Sequence, residues 1–214
     1  LLVWPDVFVC LTEKGKNWAK KWAPHVKTTT IPYGVDCQKF KPRGKLMKIN
    51  LPRPIILTVA GKERFKRVEK TIKAVSQLTH GSLLLAGDQD QEVISLAKKL
   101  LGSKRFKQIK VKYEEMPQLY RIADLFTLAS NEREAFGVCY LEAMASNLPV
   151  VATDDQYRRN IISKAGFFVN PENINNYTLA LQKALKKEWG NLPRKQAKKF
   201  SWEKVAEKYG KLFK

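Results

Sequence analysis

Asp124-Leu-Phe-Thr-Leu128, Ala129-Ser-Asn-Glu-Arg-Glu134-Ala-Phe136 and Gly137-Val-Cys-Tyr-Leu-Glu142-Ala-Met-Ala145 follow one another without a break. The first segment is a short apolar run of strand length, the second mostly polar. The third is apolar nearly all round: Val138, Cys139, Tyr140, Leu141, Ala143, Met144 and Ala145 leave it no face for water. This pattern predicts a buried strand over 124–128, a loop ending at Gly137, and a buried helix over 137–146.

The same alternation extends in both directions. Strand-like runs fall at Ile55–Val59, Ser82–Ala86, Ile109–Tyr113, Pro149–Ala152 and Gly166–Val169. Between them Val68, Ile72, Val75 and Leu78 recur at helical spacing, as do Val93, Leu96, Ala97, Leu100 and Leu101, and Met116–Ala123 reads as a short helix. Apolar strands alternating with helices call for an α/β fold, a doubly wound parallel sheet covered on both faces. Such sheets bind ligands beyond the carboxyl ends of their strands, which points to the loops after Val59, Ala86, Tyr113 and Leu128.

Residues 1–35 stand outside that series. Leu1–Leu11 reads as a buried strand and not a signal peptide, because Trp4, Pro5 and Asp6 interrupt it and no basic segment precedes it. A helix carrying Trp18 and Trp22 follows, then a strand at Thr28–Ile31. Together these resemble the last unit of a preceding domain. Residues 36–54, with three prolines and six Lys or Arg, read as a linker, and 55–214 as the main domain with C-terminal helices.

Forty Lys plus Arg against twenty Asp plus Glu give the 214-residue chain a net charge of +20. The densest stretch is Lys183–Lys214, with eleven basic and three acidic residues. Such a field attracts anionic surfaces and phosphorylated ligands. Nucleic acid is not an expected partner, since no reading motif or zinc-finger spacing accompanies the charge. Cys10, Cys37 and Cys139 are odd in number and widely spaced, which argues for a reducing compartment and against a disulfide framework. With only His25 and His80 besides, no metal is expected.

Two loops carry the candidate chemistry. The N–H groups from Phe136 to Cys139 open a helix, so they form an anion site strengthened by roughly half a positive charge of helix dipole. Glu142, alone in that apolar helix, needs partners: ribose hydroxyls would serve, and so would a core Lys or Arg. The second loop is Gly61-Lys62-Glu-Arg-Phe-Lys66-Arg67, directly after the first strand of the series. Its glycine permits close backbone approach, and its cations are spaced to straddle a diphosphate or to form a solvated basic turn. Asp88-Gln-Asp90 has a metal-holding spacing but sits where acidic residues cap helices, and Asp154-Asp155 reads the same way. Cys139 reads as packing.

Taken in order, these segments resemble glycosyltransferase family 4, the retaining group with the GT-B fold of two Rossmann-like domains. Ile31-Pro-Tyr-Gly-Val-Asp36 with Phe40-Lys-Pro42 resembles the interdomain segment, and Gly61-Lys62 with Lys66 the family's Gly-Arg followed by Lys. Leu84-Leu-Ala-Gly-Asp88 resembles its strand ending in Gly-Asp, and Phe200-Ser-Trp-Glu203 the start of its last helix. Asp124–Ala145 matches its central motif of two glutamates separated by seven residues. The resemblance implies the C-terminal, donor-binding domain of a GT-B enzyme that transfers a sugar from a UDP or GDP donor. Residues 1–35 would then be the end of an otherwise absent acceptor domain, leaving a chain that binds donor without turning it over.

It further implies that Glu134 holds hydroxyls of the donor sugar and Glu142 the ribose. Lys62 and Lys66 would neutralise the diphosphate, helped by Gly61 and the amides of Phe136, Gly137 and Val138, and the base would lie against Lys112 and Tyr113. Lys62 replaces the family's Arg, turning a bidentate grip into a point charge. Lys66 comes one residue early, so Arg67 is a candidate to share or take its role. The acceptor would be a glycan or a lipid, and the location cytoplasmic, at the inner face of an anionic membrane. Two alternatives are a nucleotide-sugar epimerase of the same fold, which normally lacks the two-glutamate motif, and a basic nucleic-acid-binding module.

Overall fold

The computed structural model describes residues 5–213. Six parallel strands form the main sheet: β3 (Ile55–Val59), β4 (Ser82–Ala86), β5 (Phe106–Ile109), β6 (Leu125–Leu128), β7 (Val150–Thr153) and β8 (Gly166–Val169). Their spatial order is β5-β4-β3-β6-β7-β8. The chain therefore builds outward from β3 through β4 to β5, returns to the centre at β6, and builds outward the other way. Ile56 pairs with Leu125 and Leu57 with Phe126 at that reversal. A reversal of strand order leaves a crevice at the carboxyl ends, since the two flanking connections depart to opposite sides.

Helices α2 (Val68–Ser76), α3 (Gln91–Arg105), α4 (Met116–Ile122), α5 (Val138–Ala145), α6 (Gln156–Ile162) and α7 (Ile174–Lys186) alternate with these strands. The chain closes with α8 (Leu192–Ala197) and α9 (Trp202–Gly210), the latter capped by Ser201 Oγ accepting from Lys204 N–H. The inner strands β3, β4, β6 and β7 are almost wholly buried, as two-sided cover demands, while the edge strands β5 and β8 are only partly so. At the carboxyl end of β4, Gly87 has φ +131°, and a Cβ there would lie 2.1 Å from the Ala60 carbonyl oxygen. Only glycine lets these two strand ends approach so closely.

One strand departs from the sequence reading. Residues 109–113 alternate Ile, Val and Tyr with Lys, yet β5 ends at Ile109, and Lys110–Lys112 run on as loop before a turn at Tyr113. Gly102, at φ 67°, interrupts α3 and brings Phe106 down to pair with Leu83. The buried Phe106 thus sets the register, and the ligand-side loop begins after Ile109, not after Tyr113. Lys112 and Tyr113 consequently lie in that loop.

The N-terminal residues form a separate parallel β-α-β unit: β1 (Val7–Cys10), α1 (Glu13–Trp22) and β2 (Lys27–Thr30), with Val7 opposite Lys27. β1 is half-buried, because a two-stranded sheet with one helix on it cannot close both faces. Leu1–Trp4 of the expected opening strand lie outside the described residues. Residues 36–54 contain no helix or strand, but they are held tightly. Val35 bridges to Ser201, and Phe40 is fully buried between Tyr113 and Tyr120 at ring distances of 5.9 and 5.8 Å. Arg121 donates to the carbonyls of Lys39, Lys41 and Lys45, and Arg194 to those of Cys37 and Phe40. Phe40 and Leu51 of this segment are therefore part of the main domain's core, while most of its other residues are exposed. Phe40→Ala should lower the unfolding free energy in urea by about 3–5 kcal/mol; a loss under ~1 kcal/mol would mean the segment merely spans.

Candidate functional site

The site is built where β3 and β6 lie side by side. The turn after β3 carries Gly61, Lys62, Lys66 and Arg67; the loop after β6 carries Glu134, Phe136 and Gly137. They are joined directly, since Asn131 N–H donates to the Phe65 carbonyl at 2.8 Å. The same Asn131 accepts through its own carbonyl from Glu134 N–H at 3.2 Å. The sequence-predicted sugar-holding loop and phosphate turn are thus one hydrogen-bonded unit.

Gly137 is the residue before α5, at φ 69° and ψ 60°. A Cβ there would lie 2.5 Å from the Tyr140 ring, so glycine is required both by backbone angle and by space. No side chain caps the helix; Tyr140 N–H turns back to the Gly137 carbonyl at 2.9 Å, while the N–H groups of Val138 and Cys139 come before the first intrahelical acceptor. Phe136 is buried edge-on to Tyr33 and Tyr157, at 5.4 and 5.7 Å. Val138 is half-buried.

Glu142 lies on α5 with only 7% exposure, and its Oε2 accepts from the Tyr120 hydroxyl at 2.7 Å. Among the described residues, neither Lys nor Arg makes the salt bridge that a core glutamate would call for. Burial raises its pKa; the Tyr120 hydrogen bond and Lys39 oppose the rise without cancelling it. Lys39 Nζ sits 3.6 Å above the Tyr113 ring, whose own pKa is raised by burial and by Glu142. Glu142, Tyr113 and Lys39 therefore form one neighbourhood at the edge of the site. Lys112 beside them is exposed, its N–H directed to Glu115 Oε2 at 3.3 Å.

Cys139 reports the other convergence. Burial pushes its thiol pKa up, Glu134 and Glu142 push it further, and Lys66 pulls it down. Glu134, Glu142 and Lys66 thus all lie within electrostatic reach of the half-buried Cys139. Lys66 Nζ lies 3.7 Å from Glu63. Lys62 is 3.7 Å from both Asp88 and Asp90, and Lys110 holds Asp88 below the usual carboxylate range. Exposed pairs of this length are worth ~0–1 kcal/mol, so Lys62 is cheaply exchanged to another anion. Asp90 stands at the N-cap of α3, but its side chain makes no cap hydrogen bond. The Asp-x-Asp pair faces lysines instead. Asp155 does cap α6, accepting from Arg158 N–H at 2.8 Å.

Arg67 is placed differently from its expected phosphate role. Its Nε donates to the Ala129 carbonyl at 2.7 Å, its Nη2 to Ser130 O, and its Nη1 to Glu172. Those bonds fix the loop after β6 and commit most of the guanidinium to protein partners. Sequence reasoning also missed Tyr120, Lys39, Arg158 and Tyr157. Arg158 is 1% exposed, and the buried Tyr157 hydroxyl has no hydrogen-bond partner among the described residues. Spacing gave no signal for these, because each acts across elements.

A cavity of about 1170 Å³ opens beside Glu134. One wall is the Glu132–Ala135 loop with Asp155–Arg158, the other β1 and α1, including the exposed rings of Trp18 and Trp22 at 6.2 Å.

Residues 45–201 match the family described as glycosyl transferases group 1. A sulfoquinovosyl transferase of Arabidopsis thaliana is 27% identical over 192 residues, covering 82% of this chain and 37% of the relative. A D-inositol 3-phosphate glycosyltransferase of Corynebacterium jeikeium is 27% identical over 212 residues, covering 86% and 50%. Among solved structures, a sucrose-phosphate synthase of Thermosynechococcus elongatus superposes with TM-score 0.81 at 24% identity, over 97% of this chain and 57% of that one. The chain spans half or less of the length of these two curated relatives.

The raised pKa of Glu142 makes a prediction about stability. A carboxyl whose folded pKa exceeds the ordinary 4.5 stabilises the fold when protonated, and that contribution is lost as pH rises through the folded value. Glu142→Gln should therefore be at least as stable as wild type at pH 7, with an advantage that shrinks toward pH ~4.5. Melting temperatures across that range decide it. A variant clearly less stable at pH 7 would make Glu142 a structural carboxylate.

Proposed function

This chain belongs to the glycosyl transferases group 1 family, and we propose that it is the donor-binding half of an enzyme that transfers a sugar from a nucleoside diphosphate to a glycan or lipid acceptor, with retention at the anomeric carbon. The observation that carries the proposal is the buried Glu142, one turn into a helix whose N-terminus adjoins the Lys62–Lys66 turn. A buried carboxylate with a raised pKa and one phenolic donor has capacity for further donors, which ribose hydroxyls supply. The two-glutamate motif supports retention, because it accompanies that outcome in the family the sequence resembles.

In this reading the departing diphosphate gathers negative charge as the sugar leaves. Lys62, Lys66 and the amides at Gly137 and Val138 stabilise that charge from fixed positions. Lys62 gives up Asp88 and Asp90 to do so. Glu134 orients the sugar through its hydroxyls and is not a nucleophile. The base lies against Tyr113 and Lys112, with Lys39 above the ring. Arg67 holds the loop rather than the phosphate. The positive charge is supplied by lysines and amides, so donor binding needs no divalent metal. The cavity walled by Trp18 and Trp22 offers the acceptor an approach to the anomeric carbon. The +20 charge supports contact with an anionic membrane at its cytoplasmic face; among the described residues no helix is long and apolar enough to cross a membrane.

Calorimetric titration with UDP and GDP, run in excess EDTA, tests the donor site. Glu142→Gln should lose roughly tenfold or more in affinity, as removal of a charged hydrogen bond costs ~1.5–3 kcal/mol. Equal affinities would sink the ribose role. A loss of more than about tenfold on replacing magnesium by EDTA would make Asp88 and Asp90 metal ligands.

The 214-residue chain should bind donor but turn it over only by slow hydrolysis. One β-α-β unit cannot position an acceptor as a second domain does, and that proximity is worth up to ~7–11 kcal/mol. Nucleotide release from several sugar donors, with glycan and lipid acceptors present, is compared with a chain extended at its N-terminus. Acceptor-dependent turnover at similar rates in both would contradict this.

A further inference from the structure

Arg158 is the largest fully buried side chain among the described residues. A guanidinium stays charged at every accessible pH, so burying it costs several kcal/mol unless every part of it is paired. Here it is. Nε donates to the Tyr140 hydroxyl at 3.2 Å, and Nη2 to Ser130 Oγ at 2.7 Å and the Asn131 carbonyl at 2.8 Å. Nη1 meets the Asp155 carboxylate, which also caps the helix that carries Arg158.

These partners are not scattered through the core. Ser130 and Asn131 are the root of the loop that carries Glu134, and Tyr140 is in the first turn of α5. The Asn131 carbonyl accepts from Arg158 and from Glu134 N–H together, so one oxygen couples the guanidinium to the backbone of Glu134. Asn131 N–H in turn holds Phe65 O, beside Lys66. Glu142 is held differently, from the opposite side of α5, by Tyr120 on α4. An apolar side chain of similar volume would fill the space without the desolvation cost. What it would lack is a directional hold on Ser130 and Asn131.

We propose that Arg158 is a positioning residue that fixes the Glu134 loop in the geometry in which it reads the sugar of the donor. The inference rests on the donor reading given above. It assigns Arg158 to recognition of the sugar and leaves the nucleoside diphosphate to Glu142, Lys62, Lys66 and the α5 amides.

The test is the ratio of affinities for a sugar conjugate and its bare diphosphate, measured by calorimetry with UDP-glucose against UDP and GDP-mannose against GDP. A residue that only stabilises the fold moves both members of a pair together and leaves the ratio alone. Arg158→Met should weaken the sugar conjugate relative to the diphosphate by about tenfold, the diphosphate changing less than ~3-fold. Arg158→Lys, keeping the charge without the fork, should recover part of the ratio. If Arg158→Met does not fold, Ser130→Ala removes one guanidinium partner and should shift the ratio the same way. An unchanged ratio in a folded variant, or equal losses of both ligands, overturns the role of Arg158 while leaving the donor site standing. A wild-type chain that binds none of the four ligands overturns the donor reading, and this inference with it.

Discussion

Helix α5 has no side it can show to water, and the rest of the domain is arranged around that constraint. Tyr140, Leu141, Ala143, Met144 and Ala145 are all buried, so sheet and helices must enclose it. β7, α4, α6 and α8 pack around it. A helix so enclosed can meet solvent only at its ends, and its N-terminal end opens at Gly137 into the crevice between β3 and β6. The one carboxylate it carries, Glu142, lies just over one turn from that end, nearly buried and held by the Tyr120 hydroxyl. In the proposed donor site, the burial that makes Glu142 costly would also make it selective for a ligand able to donate hydrogen bonds.

Strand order does the remaining placement. Because the chain returns to the centre at β6, the turn after β3 and the loop after β6 become neighbours, although about seventy residues separate them (Lys62 against Glu132). Two arginines then lock the loop from below, Arg67 through Ala129 and Ser130, and Arg158 through Ser130 and Asn131. Lys62 is left in weak exposed pairs, and Lys66 in one long pair with Glu63. Rigid cations beneath and exchangeable cations at the rim suit a site that must hold its shape and release its ligand.

Much of this was legible in the sequence, for identifiable reasons. β3, β4 and the β6-loop-α5 unit were readable because strand-length apolar runs, a polar interval and a single glycine leave few other interpretations. Gly137 announced the helix start. The third strand was misplaced because Ile109–Tyr113 alternates as a strand should, while the deciding residue, Phe106, acts through its pairing with Leu83. The segment around Phe40 reads as a linker by its prolines and lysines, and nothing local reveals the Tyr113–Tyr120 slot that buries it. Arg67 and Arg158 look alike in sequence to the surface cations around them. Their partners lie sixty-two and twenty-eight residues away, beyond the reach of any spacing rule.

The central claim is that one nucleoside diphosphate occupies the crevice between the Lys62–Lys66 turn and the start of α5. Amide hydrogen exchange, with and without saturating UDP or GDP, tests it most directly. The account predicts slowed exchange at residues 61–66 and 136–140, and unchanged exchange at the opposite end of the sheet, around Arg53, His80 and Trp189. Protection centred on that opposite end, or none at 136–140 under a diphosphate that binds, would contradict it.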